Sequence, residues 1–147
     1  MKYMLDTNIC SYIIKHRPKE VLEKFNTVAM EDCCISLVTY AELKYWVVRN
    51  KRLHTKNGNT GDPKVNEQII SQFISHLEVE ELDTSAADCY ADIRDATEAQ
   101  GIVIGNADLL IAAHAISLKA TLVTNNIKDF IAIPKLMLEN WVSNTTK

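Results

Sequence analysis

Four polar side chains occur where a ligand site could form, because each follows a short apolar segment or lies near the start of a helical one. They are Asp6, Glu42, Asp108 and Asn126. Since ligands of open parallel α/β sheets bind outside the carboxyl ends of the strands, we expect these positions to meet at one edge. Crowded, partly dehydrated carboxylates repel one another unless a cation or a proton compensates them. Oxygen ligands without histidine or cysteine suit Mg²⁺ or Mn²⁺, which activate water or bridge phosphates.

Each of these residues also has a purely structural interpretation. Asp6 can cap the helix that follows it, and Thr39-x-x-Glu42 matches a capping box. Asp108 complements the positive end of a helix, and Asn126 belongs to a good turn sequence. Taken one at a time, the structural roles are the simpler explanation. Only the shared placement of the four residues favours a metal site.

Short apolar segments of strand length alternate with helical patterns along the chain. The predicted strands are residues 3–5, 33–38, 79–82 and 120–124, with a further edge strand at 136–138. The predicted helices are residues 9–15, one from Pro18, 39–52, 64–77, one from Thr84 or Ser85 to about Gly101, and 107–118. This alternation predicts a single α/β domain over residues 1–147, with a central parallel sheet flanked by helices. Residues 39–77 are expected to form a protruding helical hairpin around the polar loop at 54–63.

Composition limits the classes of protein to which the chain can belong. With 147 residues, of which 47% are hydrophobic, one domain can bury most of its apolar surface. The net charge of −3 does not by itself indicate a nucleic-acid binder, so a polyanion would need local basic clustering or metal ions. The four cysteines lack zinc-site spacing and favour reduced thiols in a cytoplasmic protein. No signal peptide and no membrane-spanning segment is predicted.

Four motifs together resemble the PIN-domain ribonucleases, and specifically the VapC-type toxins of bacterial toxin–antitoxin pairs. They are M-L-D-T-N at 4–8, A-E-L at 41–43, G-I-V-I-G-N-A-D-L-L-I-A-A-H-A at 101–115 and L-V-T-N-N-I-K-D-F at 122–130. The resemblance covers almost the whole chain. It implies a Rossmann-like PIN domain and a Mg²⁺- or Mn²⁺-dependent endoribonuclease that acts on tRNA or rRNA. It also implies a homodimer neutralised by a VapB-type antitoxin, with operator DNA reached only through the antitoxin complex.

The resemblance assigns roles to individual residues. Matching motif positions make Asp6, Glu42 and Asp108 the acidic metal-site residues. Asp6 and Asp108 would hold the ion, and Glu42 would bind it or orient the attacking water. The fourth acidic position of many PIN domains falls on Asn126, which would be a neutral ligand or hold a water. Asp129, three residues further on, could compensate for the missing charge.

Further polar residues could assist the site or bind RNA. Thr7, Asn8 and Thr124 could hydrogen-bond a carboxylate or a phosphate, although turn and cap roles explain them equally well. A basic cluster offers phosphate contacts, with a solvated helix face as the alternative. It comprises Lys44, Arg49, Lys51, Arg52, His54 and Lys56, among which Arg49, Arg52 and Lys56 are the expected RNA contacts. His114 lies in a nearly all-apolar segment and is predicted to be a core histidine rather than a base.

The sequence departs from the family pattern in the predicted hairpin. The family usually continues to a glycine after A-E-L, whereas here Tyr45 is followed by Trp46. The loop at 54–63 is also longer and more polar than usual. Because we expect the hairpin to carry the dimer and antitoxin contacts, these differences bear on the choice of partner rather than on the chemistry.

Three other classes of protein share an acidic pocket or a similar fold and are alternatives to a ribonuclease. A haloacid-dehalogenase-type phosphatase needs Asp-x-Asp, but Asn8 stands at its third position. A receiver domain expects a lysine after a late strand, where Asn125 and Asn126 stand. A catalytically inert PIN-fold binding module would not need the three carboxylates that the chain retains.

Overall fold

The computed structural model describes residues 1–57 and 63–142, and the side chains of residues 1–53 and 66–142. Five strands are described: β1 (Tyr3–Leu5), β2 (Cys33–Ser36), β3 (Glu78–Glu80), β4 (Thr121–Val123) and β5 (Met137–Glu139). The α-helices described are α1 (Thr7–Lys15), α2 (Lys19–Thr27), α3 (Leu37–Asn57), α4 (Pro63–Ser75), α5 (Thr84–Ala99), α6 (Asn106–Ser117) and α7 (Ile127–Phe130). A short 3₁₀ helix spans Met30–Asp32.

The strands form one sheet in the order β3-β2-β1-β4-β5, and every neighbouring pair is parallel. The chain starts at the centre, winds out to β3 and returns to the other side, which is the arrangement of a Rossmann-like sheet. The predicted edge strand is confirmed as β5, and β3 forms the opposite edge. Strand order therefore brings the carboxyl ends of β1, β2 and β4 together at the middle of the sheet.

Alternating side chains of the central strands divide the core between the two faces of the sheet. One buried cluster includes Leu5, Ile35 and Val123. The cluster on the other face includes their chain neighbours Met4, Cys34 and Leu122. Because successive side chains of a strand point to opposite faces, helices must cover both sides. The buried side chains of α6 confirm the prediction of a central helix.

Several predicted boundaries are wrong by a few residues. Strand β2 ends at Ser36 instead of continuing to residue 38, and α3 begins at Leu37 instead of Thr39. The cause is the Ser36 hydroxyl, which accepts the Val38 backbone N–H at 3.1 Å and thereby caps the helix. Helix α5 is capped by Asp83, rather than by Thr84 or Ser85, through a 3.0 Å bond from the Ala86 N–H.

The hairpin of α3 and α4 packs into the same core as the sheet. Val47 of α3 and Ile70 of α4 are buried, and both belong to the cluster that includes Leu5. An ion pair of 2.7 Å between Lys51 and Glu67 also joins the two helices. Helix α3 continues to Asn57, beyond its predicted end at residue 52. Pro63, predicted as the last loop residue, begins α4. Residues 58–62 of the predicted loop and the side chains of His54 and Lys56 lie outside the described residues.

The cysteines are free thiols, as the sequence predicts. Cys10, Cys33 and Cys34 are buried, and burial raises the pKa of Cys33 to about 11 and that of Cys34 to about 12. Such thiols remain protonated and act as small core residues. Among the described helices, none is both long and apolar enough to cross a lipid bilayer.

Candidate functional site

The acidic residues meet at the carboxyl edge of the sheet. Asp6 directly follows β1, Glu42 lies in the second turn of α3, and Asp108 lies in the first turn of α6. The charges of Glu42 and Asp108 both raise the pKa of Asp6, and Glu42 also raises the pKa of Asp108. Because such effects weaken with distance, the three carboxyl groups lie within electrostatic range of one another.

Asp6 is the buried member of the group, with 6% of its surface exposed. Burial, assisted by the charges of Asp108 and Glu42, raises its pKa to about 6. Hydrogen bonds from the Thr124 hydroxyl and the Ile9 N–H oppose this rise. The Ile9 bond, at 2.9 Å, makes Asp6 the cap of α1 as well. The structural role and the expected site role therefore coincide in one side chain.

Thr124 acts on Asp6 from the neighbouring strand. It follows β4, is fully buried, and its hydroxyl opposes the rise in the pKa of the Asp6 carboxyl. The same hydroxyl oxygen accepts the Asn126 backbone N–H at 3.0 Å. Thr124 thus accepts from the turn after β4 and favours the ionised form of the Asp6 carboxyl at the end of β1.

Glu42 is oriented by a hydroxyl on α1. The Thr7 hydroxyl donates to the Glu42 carboxylate, and Thr39 Oγ1 lies 3.4 Å from Thr7 Oγ1. The capping-box interpretation of Thr39 and Glu42 is wrong, because α3 begins at Leu37 and Thr39 lies within it. Glu42 therefore does not serve as a capping-box residue. Its carboxylate faces α1.

The remaining expected residues surround Asp108. Asp108 is exposed, yet partial burial and the charges of Glu42 and Asp129 raise its pKa. The charge of Asp129 on α7 thus reaches the site, although its side chain is exposed. Asn126 precedes α7 and makes no side-chain capping bond. Asn8 lies exposed in the first turn of α1.

The donor chemistry of the site fits Mg²⁺ or Mn²⁺. The charges of Glu42 and Asp108 disfavour ionisation of Asp6, and the charge of Glu42 disfavours ionisation of Asp108, which is the kind of strain that a divalent cation relieves. Within the described side chains, no three acidic, thiol or imidazole groups already stand close enough to form a ligand set.

The basic residues of α3 are not gathered into the site. Arg49 and Arg52 are exposed beyond Glu42. Seven residues, or about two helical turns, separate Arg49 from Glu42, so the two share one face of the helix about 10 Å apart. Lys51 is paired with Glu67 on α4 instead. Lys44 lies over the Tyr40 ring, 6.0 Å from its centroid.

Sequence reasoning misses one polar pair. His114 Nδ1 lies 2.8 Å from Ser36 Oγ, and both residues are buried. The expectation that His114 is a core residue is confirmed, but the sequence does not predict its partner. A serine directly before a helix is a capping signal that could have identified Ser36. The histidine 78 residues away could not have been found from spacing.

Fold and site together define a PIN domain, and a model of that family matches residues 3–136. A VapC2 ribonuclease of Rickettsia felis is 43% identical over 147 residues, covering 96% of this chain and 98% of that protein. A tRNA(fMet)-specific endonuclease VapC of Salmonella typhimurium is 36% identical, with 96% and 98% covered. The crystal structure of VapBC2 from Rickettsia felis, bound to a promoter DNA fragment, contains a chain that superposes with a TM-score of 0.83. That chain is 39% identical, with 96% of this chain and 99% of that chain covered. This chain belongs to the VapC ribonucleases of the PIN-domain family.

Proposed function

We propose that this ribonuclease is a Mg²⁺- or Mn²⁺-dependent endonuclease that hydrolyses phosphodiester bonds of tRNA. The observation that carries the proposal is the buried Asp6 carboxyl, whose pKa is raised toward neutrality beside Glu42 and Asp108. Asp6 and Asp108 would hold the ion, and Glu42 would bind it or orient the attacking water. When bound, such an ion stabilises charge on the phosphate and lowers the pKa of water.

The chain's own hydrogen bonds prepare the carboxylates for this role. The Ile9 N–H holds the buried Asp6 side chain, and the Thr124 hydroxyl favours its ionised form. The Thr7 hydroxyl of α1 holds Glu42. Groups fixed in this way lose less entropy when a ligand binds, which favours binding and orientation. Asn126 and Asp129 lie nearby as a neutral and a charged group that could complete the site.

The choice of tRNA rests on a relative. The Salmonella typhimurium VapC, 36% identical over nearly the full length, is named a tRNA(fMet)-specific endonuclease. We propose tRNA rather than rRNA for this chain on that basis. The substrate would reach the acidic site along the exposed Arg49 and Arg52 of α3. Hydrolysis of tRNA would inhibit translation, so we propose that the protein acts in the cytoplasm.

We propose that a VapB-type antitoxin neutralises the protein, as the VapBC complexes of Rickettsia felis and Salmonella typhimurium suggest. Helix α3 offers a suitable surface, since Leu37, Tyr45 and Val48 are 42%, 61% and 63% exposed. Exposed apolar side chains on one element are typical of protein interfaces. Operator DNA would be bound through the antitoxin. We also propose a homodimer, whose mass by light scattering would be twice the 16.6 kDa of the chain.

A direct cleavage assay tests the proposed activity. Total tRNA is incubated with the protein and Mn²⁺, with and without a chelator, beside Asp6→Asn, Asp108→Asn and the control Asp83→Asn. We expect cleavage only with Mn²⁺, its loss in the first two variants, and its retention in the third. Asp83 caps α5 and is not part of the site. Cleavage by folded Asp6→Asn protein would overturn the assignment.

The same preparation separates the nuclease from a phosphatase. A haloacid-dehalogenase-type enzyme would hydrolyse p-nitrophenyl phosphate in a Mg²⁺-dependent reaction. Asn8 argues against it, because an exposed amide stands where that chemistry needs a carboxylic acid to donate a proton. Turnover of the phosphate ester without tRNA cleavage would favour the phosphatase. Tight binding of RNA without cleavage of either substrate would favour an inert binding module.

A further inference from the structure

A buried hydrogen bond joins the two helices that carry Glu42 and Asp108. His114 Nδ1 on α6 lies 2.8 Å from the Ser36 hydroxyl, which immediately precedes α3. The same hydroxyl oxygen accepts the Val38 N–H at 3.1 Å. His114 and Ser36 are 1% and 0% exposed. One hydroxyl therefore connects the start of α3 with the body of α6 out of reach of solvent.

Burial influences the protonation of the pair. Ser36 Oγ accepts from Val38 and can donate its single proton to His114 Nδ1 when that ring nitrogen is unprotonated. The ring proton then lies on Nε2, which has no partner within hydrogen-bond geometry among the described residues. Burial lowers the pKa of His114, while the Glu80 charge and the Glu81 backbone act in the opposite direction. Burial therefore favours the neutral imidazole, the form that can accept the Ser36 proton at Nδ1.

The position of the pair relates it to the site. Ser36 precedes Glu42 by six residues, and Asp108 precedes His114 by six residues on α6. Six residues span about 9 Å of helix, too far for His114 to take part in the reaction directly. Any movement of α3 relative to α6 at the buried pair would, however, be carried along both helices to the two carboxylates.

We propose that His114 is a positioning residue of the active site. Through the Ser36 hydroxyl it fixes the start of α3 against α6 and thereby sets the separation of the Glu42 and Asp108 carboxylates. The inference rests on the proposed metal-dependent cleavage, and it names a residue outside the carboxylate group on which metal binding depends. Partners that orient the groups around a metal site commonly change affinity or activity by about 10- to 100-fold.

The test compares metal binding, catalysis and stability in matched variants. Ser36→Ala and His114→Phe remove the bond, and Ser36→Thr keeps a hydroxyl. Thr97→Val is the control, because Thr97 is a buried threonine whose hydroxyl bonds carbonyls of its own helix, Ile93 at 3.0 Å and Arg94 at 3.1 Å. The Mn²⁺ dissociation constant is measured by calorimetry, tRNA cleavage by kcat and KM, and unfolding by urea in the presence of a chelator.

We expect Ser36→Ala and His114→Phe to weaken Mn²⁺ binding by roughly 10-fold and to lower kcat, with KM for tRNA within about twofold. The double variant should lose no more than either single one, because both remove the same bond. Ser36→Thr should recover Mn²⁺ binding. Thr97→Val should leave Mn²⁺ binding unchanged, even if it lowers the free energy of unfolding as much as Ser36→Ala or His114→Phe does.

Two results would overturn the inference. One is unchanged Mn²⁺ affinity in a folded Ser36→Ala protein; if that variant does not fold, unchanged affinity in His114→Phe or His114→Gln serves equally. The other is the same loss of affinity in Thr97→Val, which would show a general effect of stability. If the unaltered protein binds no Mn²⁺ and cleaves no RNA, the proposed function itself fails. If it does both while all variants match it, only the positioning role fails.

Discussion

The Thr7 hydroxyl donates a hydrogen bond to the Glu42 carboxylate across the carboxyl edge of the sheet. Thr7 begins α1 and Glu42 lies in α3, so the bond joins the helices that follow the neighbouring strands β1 and β2. A glutamate side chain without such a partner would sample several rotamers at this edge. The bond therefore selects an orientation in which the Glu42 carboxylate is directed toward α1.

This relationship predicts the effect of removing the Thr7 hydroxyl. Thr7→Val should lower kcat for RNA cleavage by about 10-fold, because Glu42 loses the donor that orients it. KM for RNA should change little, since the substrate path on α3 is intact. Single-turnover kinetics on tRNA would measure both. Thr7→Ser keeps the donor and should retain most of the activity; equal losses in the two variants would contradict the role of the hydroxyl.

Removing the Thr124 hydroxyl should affect Asp6 directly. Thr124→Val deletes the donor that opposes the rise in the pKa of Asp6, so protonation of this carboxyl should extend to higher pH. We expect Mn²⁺ binding at about pH 6.5 to weaken by roughly 10-fold, because a metal ligand must be deprotonated. Calorimetric titration would measure the change. Thr121→Val, at the other end of β4, is the matched control and should bind Mn²⁺ normally.

The raised pKa of Asp6 predicts the pH dependence of stability in a chelator. The pKa is about 6 in the folded chain, against roughly 3.9 for an aspartate in an unfolded chain. Folding favours the protonated carboxyl. The resulting contribution to the free energy of unfolding is fully present below about pH 4 and is lost as pH rises through about 6. Relative to low pH, ionisation of Asp6 lowers the free energy of unfolding at about pH 7 by at most about 2–3 kcal/mol.

Asp6→Asn should therefore be at least as stable as the unaltered protein at about pH 7, while cleavage is lost. Its free energy of unfolding should also depend less on pH between about 4 and 6.5. Urea unfolding at a series of pH values would measure this difference. Asp83→Asn, which alters the exposed cap of α5, should keep the pH dependence of the unaltered protein. An unchanged pH profile in Asp6→Asn would argue that Asp6 is not the group responsible.

The exposed arginines of α3 predict a salt-dependent effect on RNA binding. Arg49→Gln with Arg52→Gln should reduce the slope of log affinity against log salt by about 1.4, because each neutralised phosphate of a single strand contributes about 0.7. Filter binding with the inactive Asp6→Asn protein would measure affinity without cleavage. Lys19→Gln with Lys24→Gln removes two exposed charges from α2 and should leave the slope unchanged. Equal slopes in both pairs would mean that α3 does not bind the phosphates.

The parallel sheet and the placement of the acidic residues could be predicted because they depend on local patterns. Apolar triplets such as Tyr3–Leu5 and Thr121–Val123 are followed by polar residues. A polar residue directly after a buried strand is placed at the carboxyl edge of the sheet. The predicted start of α3 is wrong because Leu37 and residue 38 continue the apolar pattern of β2. The Ser36 hydroxyl, which ends the strand, gives a weaker signal than those two side chains.

The orientation of the site residues could not be predicted, because it depends on partners that are distant in sequence. Thr7 and Glu42 are 35 residues apart, and Ser36 and His114 are 78 apart. Each bond forms only after the sheet has brought its helices together. A local pattern also gives a wrong prediction. Thr39 and Glu42 match a capping box, but Ser36, three residues before Thr39, caps the helix. The sequence therefore suggests where the carboxylates lie and names Thr7 and Thr124 as possible donors, but it does not determine which carboxylate Thr7 bonds.

The two outer strands of the sheet govern how the molecule can associate. Strands β3 and β5 are three residues long, and they carry Glu78, Glu80 and Glu139. Lys2 binds Glu78 at 2.7 Å and Glu80 at 2.5 Å, which anchors β3 inward. Short edge strands with negatively charged side chains are poor templates for pairing with a strand of another chain. Recognition of other chains is thereby directed to the helices, and the molecule is protected from the edge-to-edge stacking that produces fibrils.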